Sequence, residues 1–284
     1  LGCNVHQASA QALNLAASLG ISIVRIDANI ADLWVAPEQW AWTWLDEMLA
    51  TCRTLQLTPY ATMTQSPRWQ GVEPGQPPPL DLWVQFCETF ARRYADQLTF
   101  VGVWNEFQGS AAEYVSRLLR PMADIFRRVD AGYRICGPEM EMRQGWPQWL
   151  RTILRDGGDC LDVLTVHCYE DTGAQVWDKL TKPRRWWEVW KDPSVLEVIK
   201  ASCYGDRPVW LTEVGFRSDR LGEEGQATQA DQILERVLGS EKISGLLWFQ
   251  LLDESSDGGH GVFRLNETIK PVGQVIQRLA LPLA

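Results

Sequence analysis

The sequence predicts an α/β protein, a single (β/α)8 TIM barrel over residues 1–284, and three observations predict it. Short apolar or β-branched runs recur eight times, each is followed by a longer segment with helical spacing, and no shift of composition divides the chain. Strands alternating with helices form βαβ units around a parallel sheet, and eight such units close a barrel of about 250 residues. An open doubly wound sheet of the same content is the competing architecture.

The elements follow in order. GCNV (2–5) reads as the first strand and 8–19 as its helix. ISIVRI (21–26) is followed by helical spacing over 38–56, where Trp40, Trp42 and Trp44 predict packing between helix and barrel. TPYATM (58–63) precedes a helix over 81–96, TFVGVW (99–104) one over 111–130, and YRICG (133–137) one over 146–155. LDVLTV (161–166) leads to a helix within 174–200, PVWLT (208–212) to 226–239, and SGLLWF (244–249) to 271–280. Asp81 and Thr228 sit near helix starts, where a short polar side chain satisfies free backbone N–H groups. Two connections exceed the usual few residues: QSPRWQGVEPGQPPPL (65–80), and 169–206 with Trp177, Trp186, Trp187 and Trp190. Both leave the C-terminal ends of strands, the face where barrels build their sites, so both are candidate cleft walls.

Bulk composition removes several function classes. A formal charge of −9 is the wrong footprint for nucleic acid, which needs clustered Lys and Arg. No apolar run reaches the roughly 18 residues of a membrane span. Seven cysteines with no C-x-x-C pair suggest neither a zinc ribbon nor a full disulfide framework, and Cys3, Cys136 and Cys168 in apolar runs read as buried free thiols. The chain opens on LGCNVH, a strand with no basic and apolar leader before it, so an export signal is expected to be removed or never present. Fifteen Trp stand against six Tyr and eight Phe, and such rings both bury apolar area and stack on sugar faces.

Two glutamates each close an apolar run: Glu106 in VGVWNEF after the fourth strand and Glu213 in VWLTEVGF after the seventh. A carboxylate against apolar walls is costly unless paired or protonated, which favours a functional role over a scaffolding salt bridge. Both would project into one barrel mouth. Glycoside hydrolysis needs such a pair, one acid to protonate the leaving oxygen and one carboxylate to attack the anomeric carbon.

WNE after strand four, TE after strand seven and Trp248 in LLWFQL near the end of strand eight resemble clan A of the glycoside hydrolases, over the whole chain. VRIDANIADLW (24–34), QSPRW (65–69), LTVHCYED (164–171) and GVFRLNETIKP (261–271) look most like families 39 and 5. The resemblance implies Glu106 as acid/base, with a pKa raised by apolar surroundings and the neighbouring carboxylate, and Glu213 as nucleophile. It implies Asn105 on the sugar 2-hydroxyl, His167 and Tyr169 beside the nucleophile, and Arg25 bracing that carboxylate, against a scaffolding pair of Arg25 with Asp27. Trp248 resembles the platform under the reacting ring. Trp34 and Trp69 extend that platform or pack under loops, and His6 reaches a sugar hydroxyl or stays structural. The Pro that often follows the acid/base is Phe107 here, which leaves the family unassigned.

The implied partner is a β-linked glycan, cleaved by an endo-acting monomer without cofactor; the same loops could instead form the pocket of an exo-enzyme. Three His, His6, His167 and His260, in no metal-binding spacing argue against a catalytic metal. G-x-S-x-G, the Walker loop and G-x-G-x-x-G are absent from the sequence. A carbohydrate-binding barrel without catalysis is the alternative of another class; it would keep the tryptophans and lose a glutamate. Polymer degradation favours export, secreted or periplasmic, while an odd cysteine count suits a reducing cytosol.

Overall fold

The structure, a computed structural model, describes residues 1–280 apart from 7, 74, 131, 189, 256 and 257. The expected domain end at 284 lies outside the described residues.

Eight parallel strands close a barrel: β1 Gly2–Asn4, β2 Ile23–Asn29, β3 Thr58–Thr64, β4 Phe100–Val103, β5 Arg134–Glu141, β6 Val163–His167, β7 Val209–Val214 and β8 Ile243–Trp248. They pair in chain order, and β8 returns to β1 through Gly2–Leu247 and Cys3–Trp248. Each overlaps an expected strand. β2, β5 and β7 run further than expected because Asp27, Glu139 and Glu213 broke the apolar pattern, yet the residues beyond the break still pair with neighbours.

The barrel interior is layered by the two-residue period of its strands. Tyr60, Cys136, Val163, Trp210 and Leu247, with Ile23 and Phe100 against them, plug the lower interior with apolar side chains. Two residues further along, the same strands present Arg25, Thr62, Thr165 and Thr212, all buried. The inward face thus turns from apolar to polar toward the C-terminal mouth.

Two irregularities modify that alternation. Between Gly137–Leu164 and Met140–Val166, three steps of β5 match two of β6. Between Val166–Leu211 and His167–Glu213, two steps of β7 match one of β6, and between Leu246–Leu211 and Trp248–Val214 three steps of β7 match two of β8. Such bulges re-aim side chains. With Cys136 and Trp210 inside, strict alternation would send Glu139 and Glu213 outward; the bulges bring both in, Glu213 beside Thr212.

The helical layer follows expectation with local corrections. Residues expected to be helical from 38 instead form a short ribbon, Trp34–Ala36 against Gln39–Trp40, and the helix begins at Thr43. Trp34, Trp40 and Trp42 stack in series there, at 4.6 and 5.0 Å between ring centroids, so Trp40 packs from a ribbon and only Trp44 from the helix. Connection 169–206 is broken by helices Gly173–Thr181 and Val195–Lys200, with Trp177 on the first. Trp186, Trp187 and Trp190 lie exposed between them. The helix expected from 226 starts at Ser218 and breaks at Gly222 (φ 71°), which places Thr228 inside it with its hydroxyl on the Glu224 carbonyl. Asp81 lies in the first turn of Leu80–Tyr94 without a capping bond from the preceding Pro79. All seven cysteines are free, six of them buried.

Candidate active site

Three strand-end residues adopt the left-handed backbone that L side chains seldom occupy: Trp104 (φ 64°), Glu106 (φ 45°) and Glu139 (φ 51°). Non-glycine residues persist there only where surrounding contacts over-determine them. The Glu106 N–H donates to the Glu139 carbonyl at 2.9 Å, and the Glu139 N–H donates to Thr165 Oγ1 at 3.0 Å, so the ends of β4, β5 and β6 are tied through residue 139.

The side chains form one charge network. Arg25, 1% exposed, donates from Nη1 to Glu213 Oε1 (2.9 Å) and Asn4 Oδ1 (2.8 Å), and from Nη2 to Asn105 Oδ1 (2.7 Å), with Glu139 Oε2 at 3.3 Å. Asn4 Nδ2 in turn donates to the Thr212 and Trp248 carbonyls. The Tyr169 hydroxyl donates to Glu213 Oε2 at 2.7 Å. His167, fully buried, has Nδ1 2.9 Å from Glu106 Oε1 and Nε2 3.0 Å from Glu139 Oε2, with Glu213 Oε2 3.5 Å from Nδ1. Glu139 Oε2 also accepts from Thr212 Oγ1 at 2.9 Å. An oxygen of Glu106, one of Glu213 and a nitrogen of His167 all lie within 4.8 Å of one another. Each ring nitrogen of His167 faces a carboxylate, an arrangement that reads as an ion network when the imidazole is protonated on both nitrogens.

Electrostatics follow from these contacts. Burial by itself would lower the His167 pKa, but Glu213, Glu106 and Glu139 raise it to about 9. Burial would raise Glu106, yet the bond from His167 and the charges of Arg143 and Arg25 hold it below the usual carboxylate range. This corrects the expected elevation: the apolar run before Glu106 ends beside His167, Arg143 and Arg25. Glu139 is likewise held down against its burial by Arg25 and His167. Burial and adjoining Glu213 push the Tyr169 phenol far up.

Glu106, Glu213, Asn105, His167, Tyr169 and Arg25 therefore converge within one hydrogen-bonded group. Arg25 does not pair with Asp27, which instead takes His6 Nδ1 at 2.6 Å. His6 sits at the mouth with its ring edge-on to Phe249, centroids 5.1 Å apart. The tryptophans are placed differently from expectation. Trp248 is fully buried, donates from Nε1 to the His260 carbonyl and packs on Phe216, so it presents no face to a sugar. Half-buried Phe249, the next residue, makes edge contacts with His6, Tyr169 and His260 instead. Trp34 is 2% exposed beneath Trp40, and Trp69 turns inward to donate to the Trp34 carbonyl. Trp34 packs away from the mouth, whereas Trp69 meets the Trp34 ring edge-on and stays half-buried.

The sequence reading missed Glu139, Asn4, Thr212 and Phe249. Period-two patterning placed Glu139 past the end of its strand, and only the bulge turns it inward.

A sequence profile described as the glycosyl hydrolase catalytic core matches residues 108–276, more than half of the chain. The chain belongs to this glycosyl hydrolase family. Glu213 falls inside the match and Glu106 two residues before it. No curated protein sequence matches the chain. Among solved structures, the glycosyl hydrolase is similar to a family 39 glycoside hydrolase from Bacteroides cellulosilyticus WH2 (TM-score 0.77, 14% identity, covering 98% of this chain and 62% of that one). It is also similar to a β-xylosidase from Caulobacter crescentus CB15 (TM-score 0.69, 18% identity, 98% and 67%) and to an exo-β-1,4-mannosidase from Opitutaceae bacterium strain TAV5 (TM-score 0.69, 18% identity, 98% and 58%). At these identities the likeness is one of fold, and the chain spans 58% to 67% of the length of these structures. Among the described residues no helix is long and apolar enough to cross a membrane.

Proposed function

We propose that this glycosyl hydrolase is a retaining, endo-acting β-glycosidase that works as a monomer by double displacement on an oligo- or polysaccharide. The observation that carries the reading is the approach of Glu106 and Glu213 oxygens to within 4.8 Å. Retaining enzymes hold their carboxyl groups about 5–5.5 Å apart, whereas inverting ones leave about 6.5–9.5 Å for a water.

Environment assigns the roles. Glu213 is 6% exposed and fixed on both oxygens, by Arg25 and by Tyr169, which suits an ionised, oriented nucleophile. Glu106 is 23% exposed and reaches the mouth, which suits proton exchange with a departing group. In the first step a Glu213 oxygen bonds to the anomeric carbon as the glycosidic C–O bond breaks, and the proton shared between His167 Nδ1 and Glu106 Oε1 passes through Glu106 to the leaving oxygen. In the second, ionised Glu106 takes a proton from water, whose oxygen displaces Glu213 from the sugar. His167 and Arg143 stabilise the ionised Glu106 that this second step requires. Asn105 gives its carbonyl oxygen to Arg25, which leaves its amide N–H groups for a sugar hydroxyl.

Endo action is favoured by open grooves on both sides of the carboxylates. One is lined by His6, Asp27, Asn29, Asp32 and Trp44, the other by Glu106, Glu141, Arg143, Trp146 and Trp149. Exo action is the second reading, favoured by the likeness to an exo-mannosidase and a β-xylosidase. Digestion of glucan, xylan, mannan and galactan by wild type and Glu213→Ala tests the proposal. Early products are sized by chromatography and their anomers read by NMR. The expected result is a ladder of β-anomers from wild type, with turnover reduced at least about 10³-fold in the variant. Initial α-anomers would overturn double displacement, a single small product would favour exo action, and no cleavage by wild type would bring forward the binding-only barrel.

A further inference from the structure

Glu139 belongs to neither expected carboxylate role, and no substrate can reach it, since it is fully buried. Its position is nevertheless central. Its carbonyl holds the Glu106 N–H, and its Oε2 gathers His167 Nε2, Thr212 Oγ1 and Arg25 Nη2 within 3.3 Å. It is the point where the groups facing Glu106 and the groups facing Glu213 meet.

We propose that Glu139 is a positioning residue of the hydrolytic site: its buried charge faces His167 Nε2, so that a proton stays within the hydrogen-bonded pair of His167 and Glu106. The inference rests on the glycosidase reading for its catalytic consequence, and on geometry alone for the placement of charge.

The neighbours of His167 set the balance. Glu106 faces it from the end of β4, Glu139 from the β5 bulge, and Glu213 with the Tyr169 hydroxyl on it from β7. Arg25 from β2 bridges Glu139 and Glu213, Arg143 lies 3.6 Å from Glu106, and the pair of His6 and Asp27 borders the mouth. Three carboxylates against Arg25 and a charged His167 leave one negative charge in excess, which Arg143, shared with Glu141 at the exposed mouth, offsets in part. Without Glu139 the three carboxylates become two, and the pair of His167 and Glu106 holds its protons less tightly. Because the two groups are hydrogen-bonded they titrate as a unit, so the measurable quantity is the pH at which the pair loses a proton. Arg25 is fixed by the same carboxylate, which ties the orientation of Glu213 to the charge on His167.

Glu139→Gln keeps the shape and an acceptor while removing the charge. Two readouts separate the proposal from a merely structural role. In NMR of the imidazole nitrogens across pH, His167 is expected to lose its proton about one pH unit lower than in wild type. In the profile of log kcat/KM against pH, the basic limb is expected to move down by a similar amount. At the optimum kcat should fall about 10-fold, with KM within about twofold. Should Glu139→Gln fail to fold, Thr212→Val removes one donor from the same oxygen while leaving its charge, and His167 is expected to hold its proton to the same or a higher pH; loss of that proton at a lower pH would overturn the proposal. His167 titrating as in wild type in folded Glu139→Gln overturns the proposal, and so does an unmoved basic limb beside a shifted imidazole. A wild type that hydrolyses nothing sinks the glycosidase reading, whereas the NMR titration still decides whether Glu139 sets the charge on His167.

Discussion

Phe249 occupies the place expected of Trp248, and the difference lies in one step of chain. Trp248 ends β8 with its ring buried against Phe216, while the ring of Phe249 meets His6, Tyr169 and His260 around the mouth. A half-buried ring beside ionised groups can stack on a sugar without consuming its hydroxyls, whereas a fully buried indole contributes packing. Phe249→Ala is therefore expected to lower kcat/KM about 10-fold while the melting midpoint holds within a few degrees. Trp248→Ala should instead cost about 3–5 kcal/mol of stability, read from urea unfolding. Unchanged kinetics in Phe249→Ala would return the platform to another ring.

Among elements, β5 and β7 decide the chemistry because each carries one residue more than its neighbour allows. A regular β7 would point Thr212 inward and Glu213 away; the bulge lets Thr212 hold Glu139 while Glu213 meets Arg25 and Tyr169. Below the bulges the strands are held by close packing on the apolar plug. Gly245 of β8 lies beside Trp210 of β7, and a Cβ there would stand 2.6 Å from the indole ring. Trp210 is itself packed by Phe100, centroids 4.7 Å apart, and cannot retreat freely. Gly245→Ala is expected to cost about 1–3 kcal/mol through overpacking, seen as a lower urea midpoint at unchanged slope. A wild-type midpoint would show that the plug yields more than its contacts imply.

The barrel interior concentrates Arg25, Glu139, His167 and Glu213 in one layer above an apolar plug, and stability should follow the titration of the ions there. His167 has a folded pKa raised from 6.5 to about 9, so the stability it contributes is fully present below 6.5 and lost as pH rises through about 9. Glu106, Glu139 and Asp27 are shifted the other way, so their contribution is present above ordinary carboxylate values and lost as pH falls. The melting midpoint should thus decline on the alkaline side between about pH 6.5 and 9, and His167→Gln should flatten that decline. An equal alkaline slope in wild type and variant would place the loss elsewhere in the molecule.

The sequence by itself determined the architecture, because barrel strands and their helices are written in local apolar periodicity that needs no knowledge of partners. It also singled out Glu106 and Glu213, the pair to which the proposed function gives the chemistry, since each interrupts an apolar run at a strand end where burial without a partner is costly. Arg25, Asn105, His167 and Tyr169 were legible through their motifs. Tertiary structure alone decided the rest. Glu139 and Asn4 act across strands far apart in sequence, and a bulge, which depends on the neighbouring strand's register, selects the face a side chain takes. The protonation of Glu106 was likewise beyond the sequence, because its local run is apolar while the charges that set it, His167, Arg25 and Arg143, arrive from other strands and loops. The tryptophans followed the same rule: composition announced many flat rings, but which one faces the mouth is settled by the packing of the chain around it.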